Sequence, residues 1–132
     1  MTYYNKEVFE DVDMVVHRDD AVVGDFTTYR VLQINGNKIK TKKGWYHIAH
    51  LFPRYDLTSG DTVVCKRPYR IINWKVDVGD KFTVKRVHYE RANQVVVLDT
   101  SHLKGSVFYE HAMYFSIFKP CDKKIPKKVK LI

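Results

Sequence analysis

Six histidines, two cysteines and 15 acidic residues are the side chains of this 132-residue chain that could hold a metal or move a proton. His47 and His50 stand three apart, and His111 follows Glu110. A zinc site needs converging His, Cys or carboxylate ligands at strict spacing, and no second suitable pair accompanies these. Histidine can also act as general acid or base, as it would beside a lysine in a nuclease, but nothing arranges two such groups recognisably. There is no Gly-rich phosphate loop, nucleophile elbow or paired-carboxylate signature. The sequence therefore predicts no catalysis, no metal and no cofactor. Cys65 and Cys121 lie far apart and read as ordinary reduced thiols.

Binding chemistry is better represented. The net charge is +8 and it is uneven: 8 basic residues face 9 acidic ones before position 63, and 15 face 6 from there on. A one-sided positive field attracts polyanions, with nucleic acid the commonest, although many small proteins are basic merely for solubility. Lys38, Lys40 and Lys42 alternate along one predicted strand and so share a face, which Lys43 extends. Lys66, Arg67, Arg70 and Lys75 are interleaved with Tyr69 and Trp74 in one segment. Aromatic faces stack on bases or partner side chains, and Arg forks onto phosphates or carboxylates. The same pairing of Trp with Arg dominates protein–protein hot spots, and the plain alternative is that Trp74 packs inward. Arg30 and Arg86 sit within predicted strands, where an Arg stem usually covers apolar surface; either is also a candidate phosphate contact, and Arg86 is counted among the binding residues. Lys123, Lys124, Lys127, Lys128 and Lys130 make a basic C-terminal tail, read as an exposed arm or partly as a last strand through Val129 and Leu131.

The elements that must position these residues are short strands. Aromatics make up 14% of the chain and hydrophobic residues 45%, enough to bury a core. Val15-Val16 and Val63-Val64 are β-branched runs, and strands are expected over 26–34, 38–42, 82–89 and 95–98. Asn35-Gly36 predicts a tight hairpin, because the turn needs positive φ. A helical turn is expected over 49–53, stopped by Pro53, and another over 112–115. No stretch sustains a 3.6-residue period, so long helices are not expected. No run approaches the roughly 20 apolar residues that span a bilayer, and the polar start Met1–Glu7 is no secretory signal, so a cytoplasmic protein is expected.

Three signatures occur twice in the same order, which points to a duplication. Asp13-Met14-Val15-Val16-His17-Arg18 is matched by Asp61-Thr62-Val63-Val64-Cys65-Lys66. Phe-Thr-x-x-Arg-Val occurs at Phe26–Val31 and again at Phe82–Val87. Aromatic-Tyr-x-x-Ala-x-x-Phe occurs at Trp45–Phe52 and Phe108–Phe115. The repeated positions Phe26/Phe82, Val31/Val87, Tyr46/Tyr109, Ala49/Ala112 and Phe52/Phe115 are the expected core. The predicted fold is all-β, two tandem small SH3-like barrels with short helical turns. The expected divisions are 1–57 for the first with an N-terminal extension, 58–121 for the longer second, and 122–132 for the tail.

Gly60-Asp61-Thr62-Val63-Val64-Cys65, Val78-Gly79-Asp80-Lys81-Phe82-Thr83-Val84 and Gly44-Trp45-Tyr46 resemble the signatures of small bacteriophage-encoded SH3-like proteins. That resemblance implies a fold and a viral source, hence a host-cell cytoplasm, and no uniform activity. Two insertions in the second repeat, after Lys66 and around 101–106, and the basic tail depart from it. The leading expectation is a non-catalytic binder of DNA or RNA through the second barrel and tail, with Trp74 or Tyr69 stacking. The rival expectation is an inhibitor or adaptor that binds an acidic host protein through the loop carrying Trp74 and Arg70.

Overall fold

A computed structural model describes residues 4–71, 74–103, 110–121 and 130–131. Strand is the main secondary structure, and the helices are short. The described residues form two compact units: 4–56 with 89–94 and 130–131, and the remainder of 57–121. The division after Asp56 lies one residue from the expected boundary, whereas the assignment of 89–94 and 130–131 to the first unit departs from a linear partition.

The first unit opens with α1 (Lys6–Asp11), whose first turn is capped by the Asn5 side chain accepting from the Val8 N–H at 3.3 Å. Its buried residues are Val8 and Phe9. Strand β1 (Met14–His17) leads into α2 (Arg18–Val22), where Asp19 and Asp20 occupy the first turn and suit the helix dipole. Both helices are too short to leave a readable period, so the sequence did not announce them. Strand β1 lies between β2 (Tyr29–Arg30) and β6 (Leu51–Arg54), antiparallel to both, with Val15 and Val16 buried. The second sheet of this unit joins β3 (Gln33–Asn35), β4 (Lys38–Thr41) and β5 (Gly44–His47) by hairpins.

Asn35 pairs with Lys38, so the loop is Gly36-Asn37, one residue beyond the expected position. Gly36 takes φ +59° and Asn37 is not among the positive-φ residues, which is the first-position glycine of a II′-type turn. The expected strand 26–34 is present only as β2 and β3. A 3-10 turn (Ile48–His50) precedes β6, and Pro53 lies inside that strand rather than stopping a helix. It is tolerated because β6 is a sheet edge, where a missing N–H breaks no ladder.

The second unit contains β7 (Thr62–Cys65), β8 (Tyr69–Ile71), β9 (Trp74–Val76), β10 (Lys81–Glu90), β11 (Asn93–Asp99), β12 (Glu110–Ala112) and β13 (Phe118–Pro120). Five of these make one sheet in the order β12-β11-β10-β7-β13, and β8-β9 is a separate ribbon. The turn of the long β10–β11 hairpin, with Arg91 at φ +58°, belongs to the first unit. There Gln94, buried, accepts from the Tyr55 N–H at 2.7 Å and donates to the Tyr55 carbonyl at 2.8 Å. Ala92 from the same turn packs with Val16 and Phe52. The last described segment, β14 (Lys130–Leu131), pairs parallel to β3.

Both units use one pairing scheme. In the first, Val15 stands opposite Tyr29 on one side and Pro53 on the other; in the second, Val63 stands opposite Phe82 and Pro120. The Val31 N–H donates to the Asp13 carbonyl at 3.0 Å, and the Val84 N–H donates to the Asp61 carbonyl at 2.7 Å. By this register Tyr29 corresponds to Phe82, Val31 to Val84, and Leu51 to Phe118. The first sequence signature is therefore in step, the second is displaced by three residues and the third by four.

That displacement corrects the expected core. Phe82 is 3% exposed, but Phe26 is 47% exposed and lies outside the strands. Val31, Phe52 and Phe115 are buried, Tyr46, Ala49 and Val87 are half-buried, Ala112 is exposed, and Tyr109 lies outside the described residues. The expected helical turn over 112–115 is instead the end of β12 followed by a turn at 115–117. Among the described residues the strands form four sheets, and none closes on itself into a barrel.

Two measurements follow from this packing. Phe82→Ala should cost about 3–5 kcal/mol in urea unfolding, and Phe26→Ala within about 0.5 kcal/mol of nothing; equal losses would restore the original register. His17, buried between Tyr29 and Tyr46 with Nε2 3.1 Å from the Thr41 hydroxyl, has its pKa lowered from 6.5, first by burial and then by Lys43. The unfolded chain takes up that proton first, so this part of the stability is complete above about pH 6.5 and falls as the pH drops below it. The difference in urea midpoint between wild type and His17→Leu, followed from pH 7.5 to pH 5, should change in that direction.

Candidate nucleic-acid interface

Alternation along β4 buries Ile39 and Thr41 and turns Lys38 and Lys40 to the other face of the sheet. Residues opposite one another in a ladder share a face. Lys40 stands opposite Gln33 and Trp45, and Lys38 opposite Asn35 and His47. The outer face of β3-β4-β5 therefore carries a Trp, a His, two Lys and two amides. Trp45 is 42% exposed. The His47 Nδ1 accepts from the Ala49 N–H at 3.1 Å, so the neutral ring carries its proton on Nε2, as a donor.

The inner face holds this surface in place. Tyr46, opposite Ile39, meets His17 edge-on with centroids 4.3 Å apart. Strand β4 ends at Thr41, so Lys42 and Lys43 form the turn to Gly44, whose φ of +121° favours glycine. Lys42 is exposed. Lys43 is engaged: its Nζ lies 3.0 Å from the Asp20 carboxylate and above the Tyr29 ring. The four lysines expected to form one patch thus divide into two on the sheet face, one at the turn, and one in an ion pair.

The second unit places its predicted residues differently. The insertion is a β-ribbon in which Arg70 pairs with Lys75 and Tyr69 with Val76. Arg70 and Lys75 are exposed on one face, while Val76 is buried, Trp74 half-buried, and Tyr69 half-buried against Tyr114 at 5.3 Å. Trp74 and Arg70 consequently lie on opposite faces of the ribbon and do not converge. Lys75 reaches Asp77 at 3.8 Å. Lys66 is half-buried and Arg67 exposed after β7, where the Arg67 carbonyl accepts from the buried Cys65 thiol at 2.6 Å. Burial pushes the Cys65 thiol pKa up, and Cys65 and Cys121 are both free.

Arg86 is exposed and grips Glu110 with two hydrogen bonds of 2.5 and 2.9 Å, while Lys85 stands 3.4 Å away. Those two cations hold the Glu110 carboxyl down at about 2. Arg30 is exposed on β2. Lys123, Lys124, Lys127 and Lys128 lie outside the described residues.

Trp45 is the aromatic group that sequence reasoning passed over, because Gly44-Trp45-Tyr46 was read as a fold signature. A signal did exist. A tight turn at Lys42-Lys43 places Trp45 opposite Lys40, given the alternation of lysines on β4. Comparison with family models, with curated proteins and with solved structures found no match.

The Arg86–Glu110 ion pair, between β10 and β12 of the second unit, can be tested by itself. In a carbon-detected NMR titration the Glu110 carboxyl should have its midpoint near 2, and Arg86→Gln should move it up toward 4.5.

Proposed function

We propose that this chain is a non-catalytic nucleic-acid-binding protein that lays a strand across the outer face of β3-β4-β5. The observation that carries the reading is Trp45, exposed at 42% on a sheet face beside Lys40, with Lys38 and His47 one ladder step away. A flat aromatic surface stacks a base without regard to its identity, and nearby lysines neutralise phosphates. Asn35 and Gln33 add donors and acceptors to the same face. The exposed Arg70–Lys75 face of the second unit, together with the net charge of +8, supplies salt-sensitive attraction. This moves the base-stacking role from Trp74 to Trp45 and from the second unit to the first.

The finer fold reading belongs with this proposal: tandem SH3-like units of bacteriophage type, acting in a host cytoplasm. It draws support from the common pairing scheme, in which the single strand β10 takes the combined place of β2 and β3. Among the described residues no helix is long and apolar enough to cross a membrane. A host protein is the second partner class, favoured by Val22 and Val23, both exposed at the end of α2.

Fluorescence anisotropy with a labelled oligothymidylate tests the first reading. Trp45→Ala should weaken binding about tenfold or more, since a stacked base contributes roughly 1–3 kcal/mol. Lys38→Gln with Lys40→Gln should flatten the salt dependence. Binding that ignores Trp45, or no binding to either DNA or RNA at low salt, overturns this reading. Recovery of one host protein that is lost on Val22→Asp with Val23→Asp would then support the second.

A further inference from the structure

Strand β6 ends on Arg54, a charged residue only 4% exposed. Its Nη1 has no hydrogen-bond partner, and no carboxylate is within ion-pair distance of it among the described residues. The Tyr89 ring lies over the guanidinium, 4.6 Å from the centroid. A cation–π contact offsets part of the loss of water, but a buried charge ordinarily also has an anion or a full set of hydrogen bonds. Lysine or histidine could relieve such a site by losing a proton. Arginine cannot, so the positive charge stays.

The surroundings add to that positive character. The β1–β6 ladder puts Met14 and Val16 on the same face as Arg54 and Phe52. Arg18, the first residue of α2, is also buried and lies 3.9 Å over the Phe52 ring. Both guanidiniums act electrostatically on the half-buried Tyr4 phenol, whose hydroxyl donates to the Asn93 side chain at 3.2 Å. Tyr89, the group covering Arg54, is 56% exposed on its outer side. An exposed tyrosine can change rotamer without unpacking a core.

We propose that Arg54 anchors an oxyanion site that takes a phosphate group, with Arg18, Tyr4 and Asn93 beside it and Tyr89 as a movable cover. The planar fork of Arg fits two phosphate oxygens at once. The chemistry is the same for free phosphate and for a phosphodiester, and the two are separated by experiment. The site stands independently of the Trp45 surface, so either can fail alone.

The full chain is titrated with inorganic phosphate against chloride at equal ionic strength, following thermal unfolding and the Arg54 Nε–H NMR signal. Phosphate should raise Tm by a few degrees in a saturable way and shift the Arg54 signal. Arg54→Met, an apolar replacement of similar length, should remove the phosphate response while leaving a folded chain. If that variant fails to fold, the wild-type NMR titration decides alone. A parallel titration with thymidylyl-thymidine, which carries one phosphodiester, separates the sources. A response to it assigns the site to a nucleic-acid backbone, and a response to inorganic phosphate alone assigns it to the free ion. No shift at Arg54 with either probe, or a phosphate response unchanged in Arg54→Met, overturns the proposal.

Discussion

The backbone of Tyr55 is satisfied by a side chain. Gln94 offers its carbonyl oxygen to the Tyr55 N–H and its amide to the Tyr55 carbonyl, at 2.7 and 2.8 Å, in a buried setting. One primary amide thereby does what a neighbouring strand would do at the point where β6 has left its ladder. Removing it would take one hydrogen bond from each of two buried main-chain groups, at about 1 kcal/mol or more apiece. Much of the first unit is arranged around that contact. Ala92 fills the core beside Val16 and Phe52, Asn93 receives the Tyr4 hydroxyl, and Tyr89 covers Arg54, all within the six residues at the tip of the β10–β11 hairpin.

A second constraint is register. A hairpin with a two-residue loop leaves no freedom over which residues face one another. The Lys42-Lys43 loop sets Trp45 against Lys40, and the Gly36-Asn37 loop sets Lys38 against Asn35. The proposed binding surface is thus a by-product of two short turns. Its rear is braced by Tyr46 and His17, with Thr41 hydrogen-bonded to the histidine.

The strands were largely legible in the sequence because β-branched runs and tight turns carry their own signal. The β10 and β11 strands extend a residue or two past the expected limits, and Val15 and Val63 sit at the centres of the two pairing schemes. Correspondence between the repeats was harder. Matching Phe26 to Phe82 by letter set an exposed ring against a buried one, while the ladder equates Phe82 with Tyr29. A buried rung of a ladder asks for a large apolar ring, whether Phe or Tyr, so residue identity misleads where hydrogen-bond register does not. The candidate binding residues divided the same way. Lysines on β4 follow from alternation, but the ion pairs of Lys43 with Asp20 and Arg86 with Glu110 join residues more than 20 positions apart. Arg54 gave no sign at all, since only burial distinguishes it from a surface arginine.

The first unit draws on residues 4–56, then on 89–94, and finally on 130–131. A ribosome delivers those pieces in sequence, so the early segment emerges long before the amide of Gln94 or the strand at Lys130 exists. Translation therefore cannot complete this unit first and the other afterwards. The nascent chain must wait with its Tyr55 main chain and one side of β3 unanswered, a period in which a chaperone has something to hold.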